Sequence, residues 1–177
     1  MSPSRVLVVC HANVARSVAA AYLLTAALAE QGIDVDVSTA GTHATEGQHV
    51  SARTETSLAT VLGAPVRLSA HLAHQLTDDD VERADLVVAM EAAQVRALRR
   101  THARAAGKIA TLGLLARKLP EDGGDLPVRV AAMALADRDP DDRDDVADPA
   151  GGDEAAYEAT MAVLIELCAQ LARRLGD

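Results

Sequence analysis

Three residues stand where they could do chemistry together: a cysteine, an arginine and an aspartate. Cys10 closes the apolar run Val6-Leu-Val-Val9 and is followed, through His11-Ala12-Asn13-Val14-Ala15, by Arg16 and Ser17. A loop of this length that leads into a helix can turn its backbone N–H groups inward as an anion nest, reinforced by the helix dipole. It can hold a tetrahedral dianion such as a phosphoryl group. The same field favours a thiolate, since a helix N-terminus and a neighbouring guanidinium draw a cysteine pKa from about 8.5 towards roughly 3.5–7.5. Arg16 offers a planar fork for two phosphate oxygens, which a lysine does not. Ser17 can donate a hydrogen bond to the sulfur, and that helps most when sulfur is the leaving group. Asp148, followed by Pro149, is a candidate proton donor far along the chain.

These side chains need elements to carry them. The run 6–9 reads as a strand buried on both faces of a parallel sheet. The patterning predicts further strands over 33–37, 85–90 and 108–112. Helices are predicted over 18–30, 50–62, 91–101, 127–135 and 153–175, the first of them stopping at Gly32 and the second at Gly63. Strands alternating with helices make βαβ units, hence an α/β fold: one doubly wound domain over 1–177, with a four-stranded, mostly parallel sheet and helices on both faces. In such sheets ligands sit beyond the carboxyl ends of the strands, which is where the first strand delivers Cys10. The stretch 137–148 is expected to be a solvated acidic connector; it lacks the glycine and terminal glutamate of a calcium loop.

The apolar strand, the Cys-x5-Arg-Ser loop and the following helix together resemble the low-molecular-weight protein tyrosine phosphatases, whose loop usually reads Cys-x-Gly-Asn-x-Cys-Arg-Ser. The resemblance runs along nearly the whole chain. Ser38-Thr-Ala-Gly-Thr42 is similar to the family's Ser-Ala-Gly-Thr segment, and His71-Leu-Ala-His-Gln-Leu-Thr77 to its His-x-Ala-Arg-Gln-x-Thr. Residues 84–90 resemble its third-strand segment, and Asp148-Pro149 with Gly152 and Tyr157 resembles its acid loop and closing helix. The resemblance implies a phosphomonoester hydrolase working through a cysteinyl-phosphate, with Cys10 as nucleophile, Arg16 as clamp and Asp148 as general acid and then base. Residues His11 to Ser17 would cradle the phosphoryl group. Asn13, Ser17, His71 and either Ser38 or Thr39 would form the supporting network. The substrate would be a phosphorylated protein or a small phosphomonoester, with no cofactor.

The chain departs from the family pattern at several points. Ala12 stands for the usual loop glycine and Ala15 for the second cysteine, so no thiol neighbours Cys10. His43-Ala-Thr45 and Ala150-Gly151 occupy stretches where aromatic residues usually flank the substrate ring, which implies an open mouth without ring-stacking walls. Val14 matches tyrosine-type members; threonine there would suggest phosphoarginine. Cys168, among Leu164, Ile165 and Leu171, reads as a core residue, and His11, His43 and His49 lack the spacing of a zinc set, so no metal is assigned.

Composition limits the alternatives. The formal charge of −9 excludes a nucleic-acid partner that would need a basic face. Two cysteines, far apart, make no disulfide framework and suit a reducing compartment; with no signal peptide before Arg5 and no apolar run judged long enough for a bilayer, the cytoplasm and no membrane partner are expected. With 49% apolar residues the chain can bury a core, and with two tyrosines and no Phe or Trp that core must be built from Ala, Leu and Val. Two rival functions fit the same loop: an arsenate reductase coupled to a small thiol, and a catalytically silent phosphate-binding module.

Overall fold

The computed structural model describes residues 3–176. Its sheet has four strands in the order β2-β1-β3-β4: β1 is Ser4–Cys10, β2 Val35–Gly41, β3 Leu86–Ala89 and β4 Ile109–Thr111. Every pairing is parallel, with Cys10 opposite Gly41, and Val9 opposite Ala40 on one side and Ala89 on the other. The expectation of a doubly wound α/β domain holds, and the sheet is wholly parallel among these strands. The chain leaves β1 towards one edge and returns through β3 towards the other, so the switch point of the winding lies at the carboxyl ends of β1 and β3.

Alternation along β1 splits the core in two. Val6, Val8 and Cys10 face the side covered by α1 (Arg16–Glu30), α2 (Ala52–Leu62), α5 (Leu112–Lys118) and α7 (Glu154–Leu175), where Leu24, Leu28, Leu58, Leu115, Leu164 and Leu171 pack. Leu7 and Val9 face the other side, with Val81 of α3 (Asp78–Arg83) and Val95 and Leu98 of α4 (Ala92–Thr101). A short α6 (Leu126–Ala132) joins the first face. Burying each such side chain stabilises the fold by about 1.5–3 kcal/mol, so Leu and Val suffice where aromatics are missing.

Several predicted boundaries shift. The second strand runs over Val35–Gly41, not 33–37, because its polar Ser38 and Thr39 sit on an edge strand that keeps part of one face in solvent. Helix α3 was not anticipated; it is six residues long with one buried apolar side chain, and it is started by a reciprocal cap in which the Thr77 hydroxyl and the Asp80 carboxylate each accept from the other's backbone N–H. Helix α5 was missed because it begins at Leu112 directly from β4, with the Thr111 hydroxyl capping the Leu114 N–H. The predicted helix over 127–135 runs over Leu126–Ala132.

The acidic connector is not simply solvated. Asp144 is buried and paired with Arg117, and Asp145 accepts the Ala92 N–H at 2.6 Å. Burial pushes the Asp145 carboxyl up, against that hydrogen bond. The 22-residue α7 contains an 18-residue window of mean hydropathy 1.3, enough by length and composition alone to cross a bilayer, where the sequence reading expected no such run. Its apolar stripe packs against α1, α2 and α5.

Candidate active site

The loop from His11 to Ala15 joins β1 to α1. Helix α1 starts at Ala15 without any side-chain cap, so its first N–H groups are left to whatever anion the loop holds. Asn13 takes φ of 57°, the left-handed conformation that asparagine tolerates better than most residues. Ala12, standing for the usual glycine, has no positive φ and is accommodated. Gly41 is required by closeness: a Cβ there would lie 2.7 Å from the His11 carbonyl oxygen.

Asn13 organises the loop. Its carbonyl accepts from His71 Nε2 at 2.9 Å, which places the His71 proton on that nitrogen, and its Oδ1 accepts the His74 N–H at 2.9 Å. Its Nδ2 donates to Ser17 Oγ at 2.9 Å, and that oxygen lies 3.0 Å from Cys10 Sγ. In this orientation the Ser17 hydroxyl keeps its proton and a second lone pair, so it can donate to a Cys10 thiolate. Asn13 and Ser17 are fully buried, so this orientation is held inside the protein. The Val14 carbonyl accepts from Ser51 N and Thr54 Oγ1, tying the loop to the start of α2.

Of the expected supporting residues, Asn13, Ser17 and His71 meet at the loop. Ser38 and Thr39 do not join them: they pair with Leu7 and Val8, short of the strand end, and among the described residues neither hydroxyl bonds to the loop. The contribution of β2 is made by backbone instead, with Thr42 N donating to the Cys10 carbonyl and His43 N to that of His11.

Arg16 is 2% exposed, and its guanidinium is fixed by three acceptors. Nη1 lies 3.0 Å from the Val146 carbonyl and 3.1 Å from Glu91 Oε1, while Nη2 lies 2.7 Å from Asp148 Oδ2. Glu91 was missed as a site residue; it lies two residues beyond the end of β3, so the rule that ligands lie at the carboxyl ends of strands would have pointed to it. The Asp148 segment is moored from several sides: Val146 N donates to Met90 O, Thr160 Oγ1 to Ala147 O, and Asp148 Oδ1 accepts from Ala150 N. Arg53 of α2 donates to Gly152 O at 3.0 Å and lies over the Tyr157 ring at 4.5 Å.

The site mouth is not without rings. His11 and His43, both exposed, stack with centroids 4.6 Å apart and planes at 20°. Cys168 is buried, 3.5 Å from the Ala20 carbonyl, and burial pushes its thiol up to about 12. Among the described residues no group of three or more His, Cys, Asp or Glu side chains is arranged to hold a metal ion.

A cysteine and an arginine on an uncapped anion loop, at the switch point of a doubly wound sheet and joined to a carboxylate from a distant loop, define the cysteine-dependent phosphatases. Residues 5–128 match the family of low molecular weight phosphotyrosine protein phosphatases, and the chain belongs to that family. It is a cysteine-dependent phosphatase of this class. Among solved structures it is similar to a YwlE mutant from Bacillus subtilis, with TM-score 0.77, 26% identity and coverage of 98% of this chain and 99% of that one. It is also similar to the YwlE arginine phosphatase from Geobacillus stearothermophilus, with TM-score 0.73, 28% identity and coverage of 98% and 93%. A low molecular weight protein tyrosine phosphatase from T. tengcongensis aligns with TM-score 0.74, 28% identity and coverage of 95% and 97%. A search of curated proteins found no match.

Proposed function

We propose that the chain hydrolyses phosphotyrosine and related aryl phosphomonoesters through a cysteinyl-phosphate, with Cys10 as nucleophile, Arg16 as phosphate clamp and Asp148 as general acid and base. The observation that supports this reading is the convergence of Ser17 on Cys10 at 3.0 Å and of Asp148 on Arg16 at 2.7 Å. The Cys10 thiolate attacks phosphorus while the loop N–H groups and the Arg16 fork follow the charge spreading over the equatorial oxygens. The P–O bond to the leaving group breaks, and Asp148 transfers its proton to the departing oxygen. Water, deprotonated by Asp148, then attacks phosphorus; the S–P bond breaks, and the electron pair returns to sulfur, where the Ser17 proton stabilises it. Inorganic phosphate leaves.

The stacked His11 and His43 rings, beside the loop, offer an aryl leaving group a flat imidazole face, which supports the aryl assignment. A phosphoarginine substrate is the second reading, favoured by the likeness to an arginine phosphatase. Val14 presents no hydroxyl to a guanidino group, which argues for the aryl ester. Small-thiol arsenate reduction is the third reading, since it needs Cys10 alone; the burial of Cys168 counts only against a version that needs a second exchanging protein thiol. The two unpaired cysteines suit a reducing compartment, and the cytoplasm is the proposed location.

The test is a panel of 4-nitrophenyl phosphate, phosphotyrosine peptide, phosphoarginine peptide and arsenate with a small thiol. Turnover of the first two, abolished in Cys10→Ser while inorganic phosphate still binds, is the expected result. Preference for phosphoarginine or arsenate overturns the substrate assignment, and Cys10→Ser activity above a few per cent of wild type overturns the nucleophile.

A further inference from the structure

The amide that aims Asn13 at Ser17 belongs to a segment held by a charged bridge. His74 donates its backbone N–H to Asn13 Oδ1, and its ring lies between two carboxylates from different parts of the chain. Nε2 is 2.9 Å from Asp80 Oδ2 on α3, and Nδ1 is 3.3 Å from Glu46 Oε1 in the loop after β2. A neutral imidazole carries one N–H and satisfies one of these oxygens; only the imidazolium satisfies both. We propose that His74 is a positioning residue: its doubly protonated ring, bridging Glu46 and Asp80, holds the Asn13–Ser17–Cys10 relay in register and gives turnover an alkaline limb of its own. This rests on the phosphatase reading above.

The two carboxylates are anchored independently of the ring. Glu46 Oε2 accepts the Gln75 N–H at 2.8 Å, and Asp80 Oδ2 accepts from Thr77 N and Oγ1 at 2.8 and 2.7 Å. When the ring loses a proton, a lone pair therefore meets an oxygen that cannot turn away, and the ring must move together with the backbone that addresses Asn13. The charged groups facing the ring are Glu46 and Asp80; Asn13, its neighbour on the loop side, does not titrate.

The bond to Asp80 raises the His74 pKa above its usual value against the opposing effect of burial, and Glu46 adds to the rise. The Gln75 N–H and His74 hold Glu46 below the usual range, and the Thr77 and His74 bonds do the same for Asp80 against its burial. A raised histidine contributes fully below its ordinary pKa of about 6.5 and loses that contribution as pH climbs through the raised value. The lowered carboxylates contribute at neutral pH and lose that contribution only as pH falls through their lowered values. The bridge is complete in the window between.

The experiment compares kcat/KM for 4-nitrophenyl phosphate against pH in wild type, His74→Arg and His74→Gln. Arginine stays charged throughout, so wild type should match it at pH about 6 and fall below it by up to about fivefold at higher pH, the range open to a solvent-exposed bridge. His74→Gln should sit at the lower level at every pH. A constant ratio of wild type to His74→Arg overturns the proposal. In Cys10→Ser protein, which lacks the thiol titration, the Asn13 side-chain amide resonance should follow the midpoint of the His74 ring and not that of His71; an Asn13 signal indifferent to the His74 midpoint also overturns it. Activity surviving in Cys10→Ser would sink the phosphatase reading itself, whereas an inactive Cys10→Ser with a flat ratio would sink the His74 role alone.

Discussion

Nη2 of Arg16 and Oδ2 of Asp148 stand 2.7 Å apart across 132 residues of chain. In the proposed mechanism this brings the clamp at the start of the chain to the proton donor near its end, so that the group holding the dianion is the group beside which the leaving oxygen departs.

Asp148→Asn keeps an oxygen for the Ala150 N–H but removes the transferable proton. It should lower kcat by about 10²–10⁴-fold for alkyl and peptide phosphates, and much less for 4-nitrophenyl phosphate, whose leaving group needs little protonation. Steady-state kinetics over a series of leaving groups checks this. Equal losses across the series would assign Asp148 to mooring the loop.

Glu91→Gln retains the shape and the neighbourhood of Gln94 while removing one of the two carboxylates on Arg16. Misplacing a positioned group by about 1 Å can cost on the order of 10²-fold. With Val146 and Asp148 still in place, kcat/KM should fall by roughly tenfold with little change in Tm, as Glu91 is 30% exposed. An unaltered kcat/KM would restrict Glu91 to capping α4.

Gly41→Ala puts a methyl group 2.7 Å from the His11 carbonyl oxygen, a backbone atom of the phosphate loop. Overpacking of this kind costs about 1–3 kcal/mol. The displacement is directed at the loop, so activity should fall by a larger factor than stability alone accounts for at a temperature where the variant stays folded. Thermal melts beside kinetics separate the two, and a folded, fully active variant would show that the loop can shift without harm.

With Ala15 beside it and Cys168 buried in α7, Cys10 has no thiol partner to trap a sulfenic acid. Peroxide should carry it on to sulfinic acid, with recovery by dithiothreitol only partial and bound phosphate protective. Mass spectrometry of Cys10 checks this; complete recovery, with a Cys10–Cys168 disulfide present, would contradict the buried placement of Cys168. Ala15→Cys should restore reversible inactivation.

Cys10, Asn13, Arg16 and Ser17 are legible in sequence because they lie within one strand-loop-helix junction, where spacing along the chain dictates spacing in space. Val6 to Val9 announces a central strand because both its faces are buried, and the strong helices announce themselves by their apolar period. What local pattern cannot carry is contact between distant segments. Ser38 and Thr39 belong to a similar motif, yet the register of β2 against β1 keeps them short of the loop and brings Gly41 and Thr42 to Cys10 instead. Glu91 reaches Arg16 because β3 lies beside β1, and His74 reaches Glu46 and Asp80 because the loop after β2 and the first turn of α3 converge on its own loop. Helices α3 and α5 are too short for periodicity to speak, and their starts are set by a cap and by a strand end. The sequence by itself determined the Cys10 loop, the parallel α/β scaffold and the candidates His71 and Asp148; only the tertiary structure decided that Glu91 joins Asp148 on Arg16 and that His74 joins His71 on Asn13, because those pairings depend on strand order and register.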